Sequence, residues 1–156
     1  MRTAYFLDID NLTGSGQASQ EEVRAVLHAF EQECRPGVQD QVYCAATALA
    51  AYHVGYLRPG YRVVIGRGKD GADLRLLELA DPEHLARRFQ RVVVGSGDGI
   101  FTALVCNLRA RGIKVGVLKG RGRIAAHLYK SVGPVGHHMP NPVVSLPLNH
   151  PTLGAA

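Results

Sequence analysis

Five short apolar runs limit what this chain can become: residues 3–8 (TAYFLD), 41–46 (QVYCAA), 61–65 (YRVVI), 90–94 (QRVVV) and 113–118 (IKVGVL). Each is short for a helix, and valine, which fits a pleated surface, recurs in the later ones. Between the runs lie stretches with helical spacing. Ser19 followed by Glu22 is a capping-box signature, and Val23, Val26, Leu27 and Phe30 recur at three- and four-residue intervals. Thr47 to Leu57 reads as a short helix, and Ala72 to Ala80 as another, closed by Asp81-Pro82. Ile100 to Ala110 reads as a third, with Gly112 past its end, and a short one runs from Ile124 to Tyr129. Residues 9–18, rich in Gly, Ser and Asn, read as a loop. Strands buried on both faces and alternating with helices imply a single α/β domain built on a parallel central sheet.

A chain of 156 residues suits one domain. Residues 1–132 carry the alternating pattern. Residues 133–156 are a Pro/His-rich tail, which either packs as an edge segment through Val143-Val144 or stays a flexible arm. With 46% hydrophobic and 20% charged residues, the composition excludes a disordered, collagenous or disulfide-rich chain. Cys34, Cys44 and Cys106 lie far apart without zinc-type spacing, which suggests a reducing, cytoplasmic setting. The opening MRTAYFLDID reaches acids too early for a signal peptide, and no run is long enough to span a membrane.

The net charge is +5, but its distribution is more informative than its size. No Asp or Glu follows Asp98, and that stretch carries Arg109, Arg111, Lys114, Lys119, Arg121, Arg123 and Lys130. Fourteen of the eighteen basic residues are Arg, the side chain best shaped for phosphate, so a polyanion such as nucleic acid is the expected partner. Trp is absent and aromatics are 6%, which argues against aromatic stacking as the main binding device.

The acids fall where an α/β sheet gathers chemistry. Asp8 ends the first run, with Asp10 two residues on, Asp98 follows the fourth and Asp73 opens the helix after the third. If the strand continues, period-two geometry puts Asp8 and Asp10 on one side. In strand order 3-2-1-4-5 the first and fourth strands are neighbours, so Asp8 and Asp98 share a crevice beyond the strands' carboxyl ends, with Asp73 at its rim. Clustered carboxylates repel, and a divalent cation resolves the repulsion. Oxygen ligands without nearby Cys favour Mg2+ or Mn2+. Lys69, four residues before Asp73, and the loop Lys119-Gly-Arg121-Gly-Arg123 are candidate phosphate contacts.

Three segments, YFLDIDNL, KDGADLRLLE and VVVGSGDGIFTALVCNLRARGIKVGVL, together resemble the NYN domain family of PIN-like ribonucleases, of the LabA-like kind. The likeness runs from about residue 3 to 131. It implies a three-layer PIN-like fold and a metal-dependent ribonuclease hydrolysing RNA, more readily single-stranded, with metal-activated water. It further implies that Asp8, Asp73 and Asp98 are the catalytic, metal-binding acids, that Asn11 supports the first loop, and that Ser96 precedes the third acid, with Asp10 a helper. Two positions depart from the family pattern. An acid often stands where this chain has Ile100, and another where it has Leu79, beside Glu78. Both departures leave open a catalytically weak or silent module that binds RNA or a partner. Asp8-Ile-Asp10 also resembles the first motif of haloacid-dehalogenase-type phosphatases, from which Leu12 and Thr102 depart. A homo-oligomer, or a protein partner held through the tail, remains open.

Overall fold

In the computed structural model, which describes residues 1–68, 70–133 and 142–148, the run Thr3–Asp8 is strand β1, buried at every position. It sits at the centre of the sheet because it has no solvent-tolerant face. Ile9–Thr13 is α1 and Gln20–Cys34 is α2. The Ser19–Glu22 capping box closes both ways, with hydrogen bonds of 3.2 and 3.3 Å. Gln41–Ala46 is β2, Ala48–Leu57 α3, Arg62–Ile65 β3 and Gly71–Leu79 α4. Pro82–Arg88 is α5 and Arg91–Gly95 β4. Thr102–Ala110 is α6 after a 3-10 turn at Gly99–Phe101, Lys114–Lys119 is β5, Ala126–Ser131 α7 and Val143–Ser145 β6.

All pairings are parallel, in the order β3-β2-β1-β4-β5-β6. The expected order 3-2-1-4-5 is present, with β6 added beside β5. Alternation along the strands divides the core. Tyr5, Leu7, Cys44 and Val93 face α2 and α3, while Ala4, Phe6, Ala45 and Val94 face the layer of α4 to α7. The result is three layers, helices on both sheet faces.

Two elements differ from expectation. The expected loop at 9–18 contains α1, nucleated where Asp8 Oδ1 caps the Asn11 N–H. Asp81-Pro82, read above as a stop, is also a start: Asp81 caps α5 and Pro82 is its first residue, where its missing N–H costs nothing. Among the described residues no helix is long and apolar enough to cross a membrane, and Cys34, Cys44 and Cys106 are free.

Candidate active site

Asp8 belongs to the face that carries Phe6, so it points toward the α4 side of the sheet. Its Oδ1 accepts the Asn11 N–H at 3.3 Å, and its Oδ2 accepts the Ser96 hydroxyl at 3.1 Å. Ser96 Oγ also accepts the Asp98 N–H at 3.2 Å, so one buried hydroxyl joins the ends of β1 and β4. Asp98 in turn caps the 3-10 turn through Ile100 N–H at 3.0 Å. The expected neighbourhood of Asp8 and Asp98 is therefore present and hydrogen-bonded together.

Asp73 reaches the same place from α4. The loop before that helix is tight: a Cβ on Gly66 would stand 2.2 Å from the Ala72 nitrogen, so only glycine lets α4 close onto β3. Asp73 is buried, and one of its oxygens accepts the Leu74 N–H at 2.8 Å.

Asp8, Asp10, Asp70, Asp73 and Asp98 line one cavity of about 170 Å³, together with Asn11, Ala72 and two glycines, Gly68 and Gly71. Among the described residues, none that lines the cavity is cationic. Carboxylate oxygens of Asp70, Asp73 and Asp98 lie within 4.8 Å of one another, and Asp8 stands beside that triad. Burial is the main cause that pushes Asp8 up to about 7. The Asn11 and Ser96 hydrogen bonds oppose it, and the charges of Asp73 and Asp10 add to it. Burial likewise raises Asp73 to about 6, helped by a hydrogen bond with the Asp98 carboxyl that exists only while a proton is shared.

Asp70 was absent from the expected set. Asp-Gly before a helix reads as a turn or cap, but Asp70 makes no capping bond and sits at φ 60, which leaves its carboxylate to the cavity. Asp10 lines the cavity for a different reason than expected. The strand ends at Asp8, so period two stops applying. From α1, Asp10 accepts the Thr47 N–H at 3.2 Å and the Thr47 hydroxyl at 3.4 Å, fastening α1 to the β2–α3 junction. Burial raises its pKa and these bonds lower it. Asn11 supports the third acid's loop more than the first: its side-chain oxygen accepts Gly97 N–H at 2.9 Å.

Lys119, Arg121 and Arg123 do not line the cavity. Lys119 is half-buried at the end of β5, and Arg121 and Arg123 are exposed. Their loop docks on the site through its backbone, with Arg121 N–H on Leu12 C=O at 3.2 Å and Ala125 N–H on Gly97 C=O at 2.8 Å. Lys69 lies outside the described residues.

A cluster of carboxylates at the carboxyl edge of a parallel three-layer sheet is the arrangement of a PIN-like α/β domain. The NYN domain model matches residues 2–132, and the chain belongs to that family of PIN-like nucleases. None of the curated proteins matches this sequence. Among solved structures, a protein of unknown function from Vibrio parahaemolyticus RIMD 2210633 is similar at 17% identity. The match covers 93% of this chain and 92% of that one, with a TM-score of 0.57. At that identity the likeness concerns the fold alone.

Proposed function

We propose that this chain is a Mg2+- or Mn2+-dependent ribonuclease acting on single-stranded RNA. The observation that carries the reading is the convergence of five carboxylates, two of them buried, on one cavity that no cation lines among the described residues. Such a set fits a hard divalent ion and little else. Asp8, Asp70, Asp73 and Asp98 would hold the ion, which supplies an activated water and neutralises charge developing on a phosphodiester. The chain's own residues do the rest. Ser96 and Asn11 keep the ends of β1 and β4 in register, and Asp10 anchors α1 beneath them. Lys119, Arg121 and Arg123, with Lys69, would draw the RNA backbone to the rim. Asp70 offers a carboxylate to a site that has Ile100 where the family often has an acid, which favours activity over a silent module. The phosphatase resemblance needs a free carboxyl at Asp10, and Asp10 is engaged with Thr47.

The test is cleavage of single-stranded RNA by wild type and Asp98→Asn, with and without chelator. The asparagine variant should lose more than about 100-fold in rate, because even residues that only support metal ligands typically cost 10–100-fold. Its RNA affinity should hold or rise, since a negative charge has left the cleft. Cleavage that persists in chelator, or a fully active Asp98→Asn, contradicts the mechanism. A wild type inert with both ions identifies a binding module.

A further inference from the structure

Beside the acid cavity runs a second, open groove of about 690 Å³ between edge strand β3 and helix α4, and Gly71 lines both. Its apolar wall includes Ile65, 49% exposed, and Leu74, 48% exposed. Ile65 on β3 and Leu74 on α4 are neighbouring half-exposed aliphatics that give the groove an apolar face. Arg67, Arg75 and Glu78 line the same groove. Arg75 is paired with Glu78 on the surface, a contact worth little in water, and Arg67 has no ion pair among the described residues.

We infer that this groove is a nucleotide subsite, which holds the part of a single-stranded RNA next to the phosphate placed at the acids. The inference rests on the nuclease reading above. A base packs its face on Ile65 and Leu74, and the sugar-phosphate chain lies against Arg67 and Arg75. Two observations select this occupant. The groove adjoins the acid cavity at Gly71, the first residue of α4, so the two sites lie either side of that helix's N-terminus. Five carboxylates also repel a polyanion, so affinity has to come from the flanks. The flanks are the loop after β5 and this groove at β3, on opposite sides of the β1–β4 pair. Four strand spacings separate β3 from β5, about 19 Å, a distance a few nucleotides span. In a chain with few aromatics, aliphatic walls and guanidinium planes can supply the face against which a base stacks. The groove also borders the outer edge of β3, which pairs with no strand among the described residues and where an added peptide strand is the rival occupant. The arginines and the adjacency to the acids favour RNA.

The test uses the full chain. Affinity for a fluorescent single-stranded oligoribonucleotide is read by anisotropy in the Asp98→Asn background, so that the RNA survives. Turnover of bis(4-nitrophenyl) phosphate with Mn2+ is read in the otherwise wild-type chain. Arg67→Glu and Leu74→Glu should each weaken RNA binding at least about tenfold, the scale of one lost base-stacking or phosphate contact. Leu74→Phe, which adds a stacking face, should tighten it. Turnover of the small diester, too short to reach the groove, should stay within about twofold of wild type in all three. Circular dichroism and melting temperature confirm that the exposed substitutions leave the fold intact. If folded Glu variants bind RNA as wild type does, the subsite is overturned. It is overturned in favour of a protein edge if they instead lose self-association in light scattering. A wild type that hydrolyses neither the diester nor RNA overturns the nuclease reading and the subsite together. Hydrolysis of both, with unaltered RNA affinity in the Glu variants, overturns the subsite alone.

Discussion

Asp8 and Asp73 each expose only 4% of their surface, and their carboxyl groups are raised to about 7 and about 6. Both values stand above the roughly 3.9 of an unfolded Asp. The sign follows. Below about pH 4 both states hold the protons, and the full stability is present. As pH rises toward the folded values the unfolded chain ionises freely while the buried groups resist, so this stability is lost between about pH 4 and pH 7. In chelator the melting temperature should therefore fall by several degrees from about pH 5 to pH 8, roughly 2–4 °C per kcal/mol for a chain this size. Asp8→Asn should flatten the trend, and millimolar Mg2+ should raise the melting temperature at the higher pH far more than at the lower. A melting temperature that climbs with pH in chelator contradicts this account. The strand-end acids were readable because a β1–β4 neighbourhood follows from topology. Asp70 was hidden because its role depends on a left-handed backbone that a residue list does not announce.

At the scale of elements, the loop 119–123 behaves as a backbone clamp. A Cβ on Gly120 would lie 2.3 Å from Leu12 C=O, and one on Gly97 would lie 2.2 Å from Arg123 C=O. Gly120→Ala must push the loop off α1, which carries Asp10 and Asn11. Overpacking of this kind costs about 1–3 kcal/mol. Urea melts should show that loss, with RNA cleavage falling alongside it. Gly55→Ala is the contrast: its Cβ meets open space in the interior of α3, and it should gain about 0.5–1 kcal/mol. A stable Gly120→Ala would show that the loop is not clamped. The helices α2, α3, α4 and α6 were legible from spacing and caps. Helices α1 and α5 were not, because α1 is a single capped turn and because Asp-Pro both ends one helix and begins the next.

For the molecule as a whole, β6 shields the outer edge of β5. Leu146 behind it is buried and Val144 packs on the α2–α3 side of the core. Burying one such side chain contributes about 1.5–3 kcal/mol. A chain ending at Gly133 should therefore melt at least about 4 °C lower. With the β5 edge bared, it should also scatter light on warming. Unchanged melting would mean that the strand adds nothing. The first five strands were legible as short apolar runs alternating with helices, and their order as that of a doubly wound parallel sheet. The place of β6 did not, because three residues in a Pro-rich stretch carry too little pattern to choose between edge and arm. The strand order also bears on synthesis. β1 emerges first, yet it lies at the centre and pairs with β4 between Thr3 and Arg91 through Leu7 and Gly95. Until residues 91–98 leave the ribosome, the strand that is buried at every position keeps one edge open, and Asp8 has neither Ser96 nor Asp98 beside it. Pairings this distant along the chain close slowly. A nascent chain thus carries the greatest aggregation risk over its first two thirds, and the acid cavity is among the last features to exist.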